Sequence, residues 1–155
     1  MAGSTDENAP LWSLPPQHLK ALADQGTVRA FPKNSIIISE GDRSDSMFII
    51  QSGKVKVYLA DETGKELLLS THGPGEYFGE MILDEGPRSA SVVTLEASRF
   101  SVITTDQFKQ FLTQHPDIGL ELIKSLIHRV RALTKTAGNL GLLDVYGRVA
   151  RLLLD

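Results

Sequence analysis

Short apolar runs separated by turn-forming residues occupy the chain between Thr27 and Thr105. Each run is rich in Val, Ile, Phe or Leu, and Gly, Pro, Asp and Ser lie between the runs. Runs of this length and composition are typical of β-strands. They predict strands at 28–31, 36–39, 47–51, 54–60, 66–71, 90–95 and 99–104. Many short strands with glycine-marked corners favour a small β-roll, jelly roll or barrel.

The fourth run has the period-two pattern of a strand with one solvated face. Val55, Val57 and Leu59 alternate with Lys54, Lys56 and Tyr58. The segment DETG at 61–64 joins this run to the next and predicts a hairpin turn.

Helical patterns flank the strands, so the predicted fold class is α+β, mainly β. Pro15 and Pro16 precede the stretch QHLKALADQG, which Gly26 ends. After Thr105, Asp106 is a predicted N-cap for QFKQFLTQH, and Pro116 ends that helix.

A longer helix is predicted from about Asp117, with an apolar heptad seam on one side. The seam residues are spaced 3, 4, 3, 4 and 3 apart: Ile123, Leu126, Val130, Leu133, Ala137 and Leu140. Leu120, Leu122 and Ile127 lie off this seam and offer a second apolar surface toward the β-domain. A helix that is apolar on two sides must bury both, which favours a homodimer through residues 117–143. The alternative is an amphipathic helix packed only on its own domain.

The last residues predict a further helix, with Asp144 as its N-cap and VYGRVARLLLD as its body. Its apolar face has nothing after it to cover it, so we expect the natural polypeptide to continue. The predicted organisation is a flexible tail at 1–10, a β-domain with flanking helices at 11–116, a dimerisation helix at 117–143 and the start of another domain at 144–155.

Composition excludes several classes of protein. The 155 residues contain no Cys, which excludes disulfide scaffolds, iron–sulfur clusters, Cys-ligated zinc and thiol switches. The net charge is −3, without the basic balance of a nucleic-acid-binding chain. No apolar run approaches the roughly 20 residues of a membrane helix, and MAGSTDENAP is not a secretory signal, so we expect a cytoplasmic protein with no membrane contact.

Motifs for catalysis and metal binding are missing from the sequence. No GxSxG, P-loop or paired-carboxylate pattern occurs, so we expect no enzyme activity. The four histidines, at 18, 72, 115 and 128, have no metal-ligand spacing, so we expect no metal site. His72 is only a weak candidate for a haem ligand.

The segment from Gly73 to Thr94, GPGEYFGEMILDEGPRSASVVT, predicts a phosphate-binding site. Gly75 and Gly79 leave the backbone bare before a helix-capable piece, EMILD, and N–H groups at a helix N-terminus bind anions. Arg88 and Ser89 supply further donors to phosphate oxygens. Glu80 beside an anion site suggests a carboxylate that accepts from a sugar hydroxyl. The alternative is a glycine-rich turn held by an Arg88–Glu80 salt bridge.

The chain resembles the CRP/FNR superfamily of bacterial transcription regulators over Leu11–Asp155. The matching motifs are EGD at 40–42, Gly53, GEYFGE at 75–80, PRSAS at 87–91 and GNLGLLDVYGRVARLLL at 138–154. The resemblance implies an eight-stranded β-roll that holds a cyclic nucleotide, a dimer through the long helix, and a winged helix-turn-helix for DNA beyond residue 155. It also implies RNA polymerase as a partner of the full-length protein.

The resemblance implies which residues bind the ligand. Gly79 and Glu80, followed by Met81, take the ribose side, and Arg88 and Ser89 take the cyclic phosphate. The two family positions that contact the base from the long helices fall on Leu133 and Thr134. Thr134 can still donate a hydroxyl across the dimer, whereas Leu133 departs from the pattern.

The identity of the effector is therefore left open. Cyclic AMP is favoured, and cyclic GMP, cyclic di-GMP or no nucleotide are the alternatives. A different reading is a cyclic nucleotide-binding module of a protein that does not bind DNA.

Overall fold

The computed structural model describes residues 14–43, 45–84 and 86–154, except for the side chains of 139–147 and 154. The predicted tail at 1–10 lies outside the described residues. The elements, in chain order, are α1 Pro16–Gln25, β1 Thr27–Phe31, β2 Ile36–Ile38, β3 Ser46–Ser52, β4 Val55–Ala60, β5 Glu66–His72, β6 Tyr77–Phe78, β7 Ser91–Thr94, β8 Ser98–Thr104, α2 Thr105–Gln114 and α3 Pro116–Leu154.

Two four-stranded sheets form a β-roll, as the sequence predicts. Their strand orders are β1-β8-β3-β6 and β2-β7-β4-β5, and the six pairings between neighbouring strands are antiparallel. Apolar side chains of both sheets meet between them, and three phenyl rings lie at the centre of this interior. The rings of Phe48, Phe78 and Phe100 have centroids 5.0–6.0 Å apart.

The three helices pack on the outer face of the first sheet. Alternate residues of β3 therefore enter different cores, because successive side chains of a strand point to opposite faces. Phe48 and Ile50 face the roll interior, whereas Met47 and Ile49 pack against the helices. The helices contribute Leu19, Leu22, Phe108, Phe111, Ile118 and Leu122 to this second core.

All seven predicted strands are confirmed, and the structure adds β6, whose two residues leave no readable pattern. The solvated face predicted for β4 is wrong at Tyr58, which is buried. A bulge between Val57 and Tyr58 in the pairing with β5 shifts the register there. The extra residue of this bulge is Leu69 of β5, so β4 itself keeps its alternation. Tyr58 is covered instead by Lys56 on the same face, whose Nζ lies 5.2 Å from the centroid of the ring.

The first residue of α2 also differs from the prediction. Asp106 lies inside the first turn, and Thr104 is the N-cap. The Thr104 hydroxyl accepts from the Gln107 backbone N–H at 3.1 Å, and the Thr104 N–H donates to the Gln107 side chain at 2.9 Å. This reciprocal capping box satisfies two backbone groups, which a cap at Asp106 would not do.

The helix α3 runs without a break through Asp144, so the prediction that Asp144 caps a second helix is wrong. A mid-helix Asp costs only a fraction of a kcal/mol, and no proline interrupts the segment. None of the helices in the described ranges combines the length and the apolar character needed to cross a bilayer.

The structure departs from the predicted seam of α3 at Leu126. Ile123, Val130, Leu133 and Ala137 are exposed and remain available to a seam, and the side chain of Leu140 lies outside the described residues. Leu126 packs on the helix-side core together with Leu122, four residues before it. Leu120 and Ile127, predicted to face the β-domain, are 61% and 50% exposed. The exposed stripe is Leu120, Ile123, Ile127, Val130, Thr134 and Ala137, with Leu133 beside it. The spacing of this stripe is again 3, 4, 3, 4 and 3, now with Thr134 in the seam.

Candidate functional site

A cavity opens between the second sheet and the segment 79–90, and encloses about 820 Å³ including its mouth. Its apolar floor comes from strands of the roll: Ile38, Val57, Phe78 and Val92. Its polar wall comes mainly from the segment that the sequence predicts to bind phosphate.

The piece EMILD at 80–84 forms a turn rather than the predicted helix. The Asp84 N–H donates to the Met81 carbonyl at 3.1 Å, and the Gly86 N–H donates to the Asp84 side chain at 3.0 Å. The piece is too short to sustain a helix alone, and Gly86 and Pro87 follow it. The anion site therefore has no helix N-terminus, and its charge comes from Arg88.

Gly79 allows the segment to leave β6 close to Arg88. Its φ is +74°, a left-handed conformation that favours glycine. A Cβ at this position would lie 3.2 Å from the Ser46 carbonyl oxygen and 3.3 Å from Arg88 Nη1. Any larger residue would meet both backbone strain and the guanidinium.

Arg88 is half-buried and is held by two backbone carbonyls. Nη1 donates to the Gly79 carbonyl at 3.1 Å, and Nη2 donates to the Ser46 carbonyl. Its Nε is buried and has no acceptor within the described part of the chain. Burial lowers the pKa of Arg88 from its ordinary value, while the carboxylates of Glu80 and Asp45 act in the opposite direction.

The loop at 40–42 fixes the backbone on which Arg88 is mounted. The Arg88 N–H donates to the Asp42 carbonyl at 2.8 Å, and the Gly41 N–H donates to the Arg88 carbonyl at 2.8 Å. The Glu40 N–H donates to the Ser91 hydroxyl at 2.9 Å. The EGD motif thus orients the arginine from outside the cavity.

Five of the six predicted ligand residues line the cavity: Gly79, Glu80, Met81, Arg88 and Ser89. Glu80 is close enough to Tyr77 to reinforce the rise in the pKa of that phenol, which burial mainly causes. Thr134 is exposed on α3 and is not among the lining residues. Its predicted contact runs through a second chain and stays a prediction.

Sequence reasoning missed a polar wall on β5, formed by Ser70 and His72. His72 Nε2 lies 3.0 Å from the Ser70 hydroxyl, and Nδ1 lies 2.7 Å from Glu76 Oε2. Both ring nitrogens are engaged, so His72 is poorly placed to bind haem iron. The available signal was the spacing of Ser70 and His72, which puts both side chains on one face of a strand.

The arrangement suits an anionic ligand that also carries hydroxyl groups. A guanidinium can donate to phosphate oxygens, and Ser89 at the same wall adds a hydroxyl. A carboxylate can accept from a sugar hydroxyl, which is the role open to Glu80. Among the described residues, no group of three or more His, Asp or Glu side chains could hold a metal ion.

Comparisons with known proteins point to the same chemistry. Residues 28–115 match the family model of the cyclic nucleotide-binding domain. A CRP-like cAMP-activated global transcriptional regulator of Mycobacterium tuberculosis is 35% identical over 90% of this chain, and the chain spans 63% of that regulator's length.

Two solved structures are similar to the chain. The catabolite activator protein of Thermus thermophilus has 30% identity and a TM-score of 0.68, covering 86% of this chain and 63% of that one. A structure of an EAL enzyme has 34% identity and a TM-score of 0.59, covering 70% of this chain and 98% of that one.

Proposed function

Because the chain belongs to the cyclic nucleotide-binding domain family, in its CRP/FNR-type form, we propose that it is the sensor and dimerisation part of a bacterial transcription regulator. It binds a cyclic nucleotide, with cyclic AMP preferred. The nucleotide controls DNA binding by a C-terminal winged helix-turn-helix beyond residue 155. The protein acts in the cytoplasm, catalyses no reaction, and in full length works with RNA polymerase.

The observation that carries this proposal is the position of Arg88. Two carbonyls orient its guanidinium, and the buried Nε keeps an N–H that no described atom accepts. Burying a donor without an acceptor costs about 1–3 kcal/mol, a cost that a phosphate oxygen would offset once the guanidinium turned toward the cavity. Ser89 adds a hydroxyl at the same wall, and Gly79, Glu80 and Met81 form the ribose side.

The exposed stripe of α3 supports a parallel homodimer through residues 117–143. Its Leu, Ile and Val side chains are half or more exposed in the single chain, and burying them between two helices is favourable. In this register Thr134 lies in the stripe itself, where its hydroxyl can reach the base of a nucleotide bound to the partner.

A hydrogen-bonded connection offers a route from ligand to dimer interface. The Thr105 hydroxyl lies 3.0 Å from the Asp45 carbonyl and 3.2 Å from the Ile82 carbonyl of the cavity turn. Thr105 begins α2, and Phe111 of α2 packs in the same core as Ile118 of α3. A ligand that draws the turn inward therefore changes the packing of α3. Coupling of this kind is typically worth about 1–3 kcal/mol.

Isothermal titration with cyclic AMP tests the proposal on the 155-residue chain. Loss of a charge-assisted hydrogen bond costs about 1.5–3 kcal/mol, so Arg88→Leu is expected to weaken binding roughly 10- to 150-fold. Arg99→Leu is the matched control, because Arg99 is an exposed arginine of β8 outside the cavity. Equal affinity in both variants and the parent would remove Arg88 from the site.

The same titration separates the alternative effectors. Cyclic GMP and cyclic di-GMP are measured in parallel with cyclic AMP, and tighter binding of either one displaces cyclic AMP as the effector. If none of the three binds, the chain belongs to a regulator that responds to no nucleotide.

The likeness to the EAL enzyme favours a second candidate, a cyclic nucleotide-binding module of a protein that does not bind DNA. The coding sequence beyond codon 155 distinguishes the two. A helix-turn-helix there supports the regulator, and any other domain supports the module.

A further inference from the structure

Glu76, His72 and Ser70 form a hydrogen-bonded chain that ends in the cavity. Ser70 and His72 line it from β5, whereas Glu76 lies behind them on the turn that follows the strand. The turn is itself fixed, because the Glu76 N–H donates to the Gly73 carbonyl at 3.1 Å and the Gly75 N–H donates to the Ile50 carbonyl at 3.0 Å. The His72 side chain is only 13% exposed.

The chain fixes which ring nitrogen of His72 carries the proton. An ionised carboxylate only accepts, so Nδ1–H donates to Glu76 Oε2 at 2.7 Å. In the neutral ring Nε2 is then an acceptor, and the Ser70 hydroxyl donates to it at 3.0 Å. The Ser70 oxygen therefore offers the cavity its lone pairs and no proton.

The strand register puts Ser70 far from the phosphate end. Val57 of β4 pairs with Ser70 of β5 on one side and with Val92 of β7 on the other. Two strand spacings separate Ser70 from Val92 by about 10 Å. Val92 follows Arg88 by four residues, so a nucleotide with its phosphate at Arg88 reaches Ser70 with its base.

We infer that Glu76 and His72 are positioning residues that make Ser70 an obligate acceptor, which selects a base with an amino group at purine position 6 over one with a carbonyl there. This inference rests on the proposed nucleotide binding. An amino group donates to Ser70, whereas a carbonyl oxygen meets the serine lone pairs without a shared proton.

Other charged groups near this wall act on both bases alike. Glu80, Asp84 and Arg88 face the cavity from the opposite segment, and the β4 residue paired with His72 is the uncharged Val55. Their charges alter the affinity for either nucleotide, and a ratio of affinities removes that effect.

The test compares cyclic AMP with cyclic IMP, which carries a carbonyl where cyclic AMP carries the amino group. Calorimetry at pH 8 is expected to give roughly tenfold tighter binding of cyclic AMP. The ratio is expected to fall toward one in Ser70→Ala and in His72→Leu.

Thr71→Ala is the matched control, because Thr71 lies between the two residues on the exposed face of β5. It should keep the ratio of affinities found in the parent chain. Arg88-dependent binding with an equal ratio in the parent, Ser70→Ala and His72→Leu would overturn the inference and leave the proposed function intact. Failure of both nucleotides to bind the parent chain would overturn both. Melting curves of each variant identify any loss of folding, and a ratio measured on the folded fraction remains decisive.

Discussion

The register of α3 can be tested with two neighbouring residues, Leu126 and Ile127. The sequence pattern assigns Leu126 to the dimer seam, whereas in the folded chain it packs on the helix-side core. For Ile127 the two assignments are reversed. The sequence pattern directs it toward the β-domain, whereas in the folded chain it is 50% exposed and lies in line with Ile123 and Val130. Leu126→Ala is therefore expected to lower the free energy of unfolding. Ile127→Ala is expected to raise the dissociation constant of the dimer.

The expected magnitudes of the two effects follow from the burial of each side chain. Truncating a fully buried Leu costs about 2–5 kcal/mol, so the partly buried Leu126 should cost about 1–3 kcal/mol of unfolding free energy. Full burial of an Ile is worth about 1.5–3 kcal/mol, so the exposed half of Ile127 is worth about 1 kcal/mol. A dimer contains two copies of Ile127, so the substitution should lower the free energy of dimer formation by about 2 kcal/mol. That corresponds to a roughly 30-fold higher dissociation constant.

Sedimentation velocity across a concentration series measures the dissociation constant, and urea unfolding measures stability. Unfolding is followed at a concentration below the dissociation constant, because dimer formation would otherwise add to apparent stability. If Leu126→Ala weakens the dimer while Ile127→Ala mainly destabilises the fold, the sequence register is right and the reasoning from burial fails. A parent chain that stays monomeric at tens of micromolar refutes the interface altogether.

Three further substitutions test the site and its supports. Gly79→Ala should lower stability by about 1–2 kcal/mol through left-handed strain, and should weaken cyclic AMP binding because its Cβ reaches Arg88; unfolding and calorimetry check this, and unchanged affinity contradicts it. Thr104→Ala should lower the unfolding free energy by about 1–2 kcal/mol by removing the α2 cap, and a urea midpoint equal to the parent's would count against that cap. Hydrogen bonds hold the pKa of Asp61 below its ordinary value of 3.8. Its contribution to the free energy of unfolding is therefore fully present above pH 3.8 and is lost as the pH falls through the lowered pKa. Asp61→Asn should therefore flatten part of the acid-unfolding curve below about pH 4, and an identical curve would argue against this role.

The strands could be predicted from the sequence because each is a local pattern. A run such as VKVYLA has the β-propensity and alternation that define a strand, whichever partner it pairs with. The same holds for the chemistry of the site, since Gly79, Glu80, Arg88 and Ser89 lie within one short segment. A phosphate site built from a continuous segment leaves its pattern in the sequence.

Tertiary structure decided everything that depends on residues far apart in the chain. The Ser46 carbonyl that holds Arg88 is 42 positions away, and the pairing that brings Ser70 toward Val92 runs through a third strand. The bulge at Leu69 of β5 is likewise a property of two strands together. No periodicity within one segment carries such information.

The helix α3 shows this division within a single element. Its sequence fixes that there are two apolar faces, because Leu and Ile recur at helical spacing around more than one side. Two registers satisfy that spacing, and they differ by one residue, with Leu126 in one seam and Ile127 in the other. Only packing against the helix-side core turns Leu122 and Leu126 inward, and the same packing leaves Ile123 and Ile127 exposed.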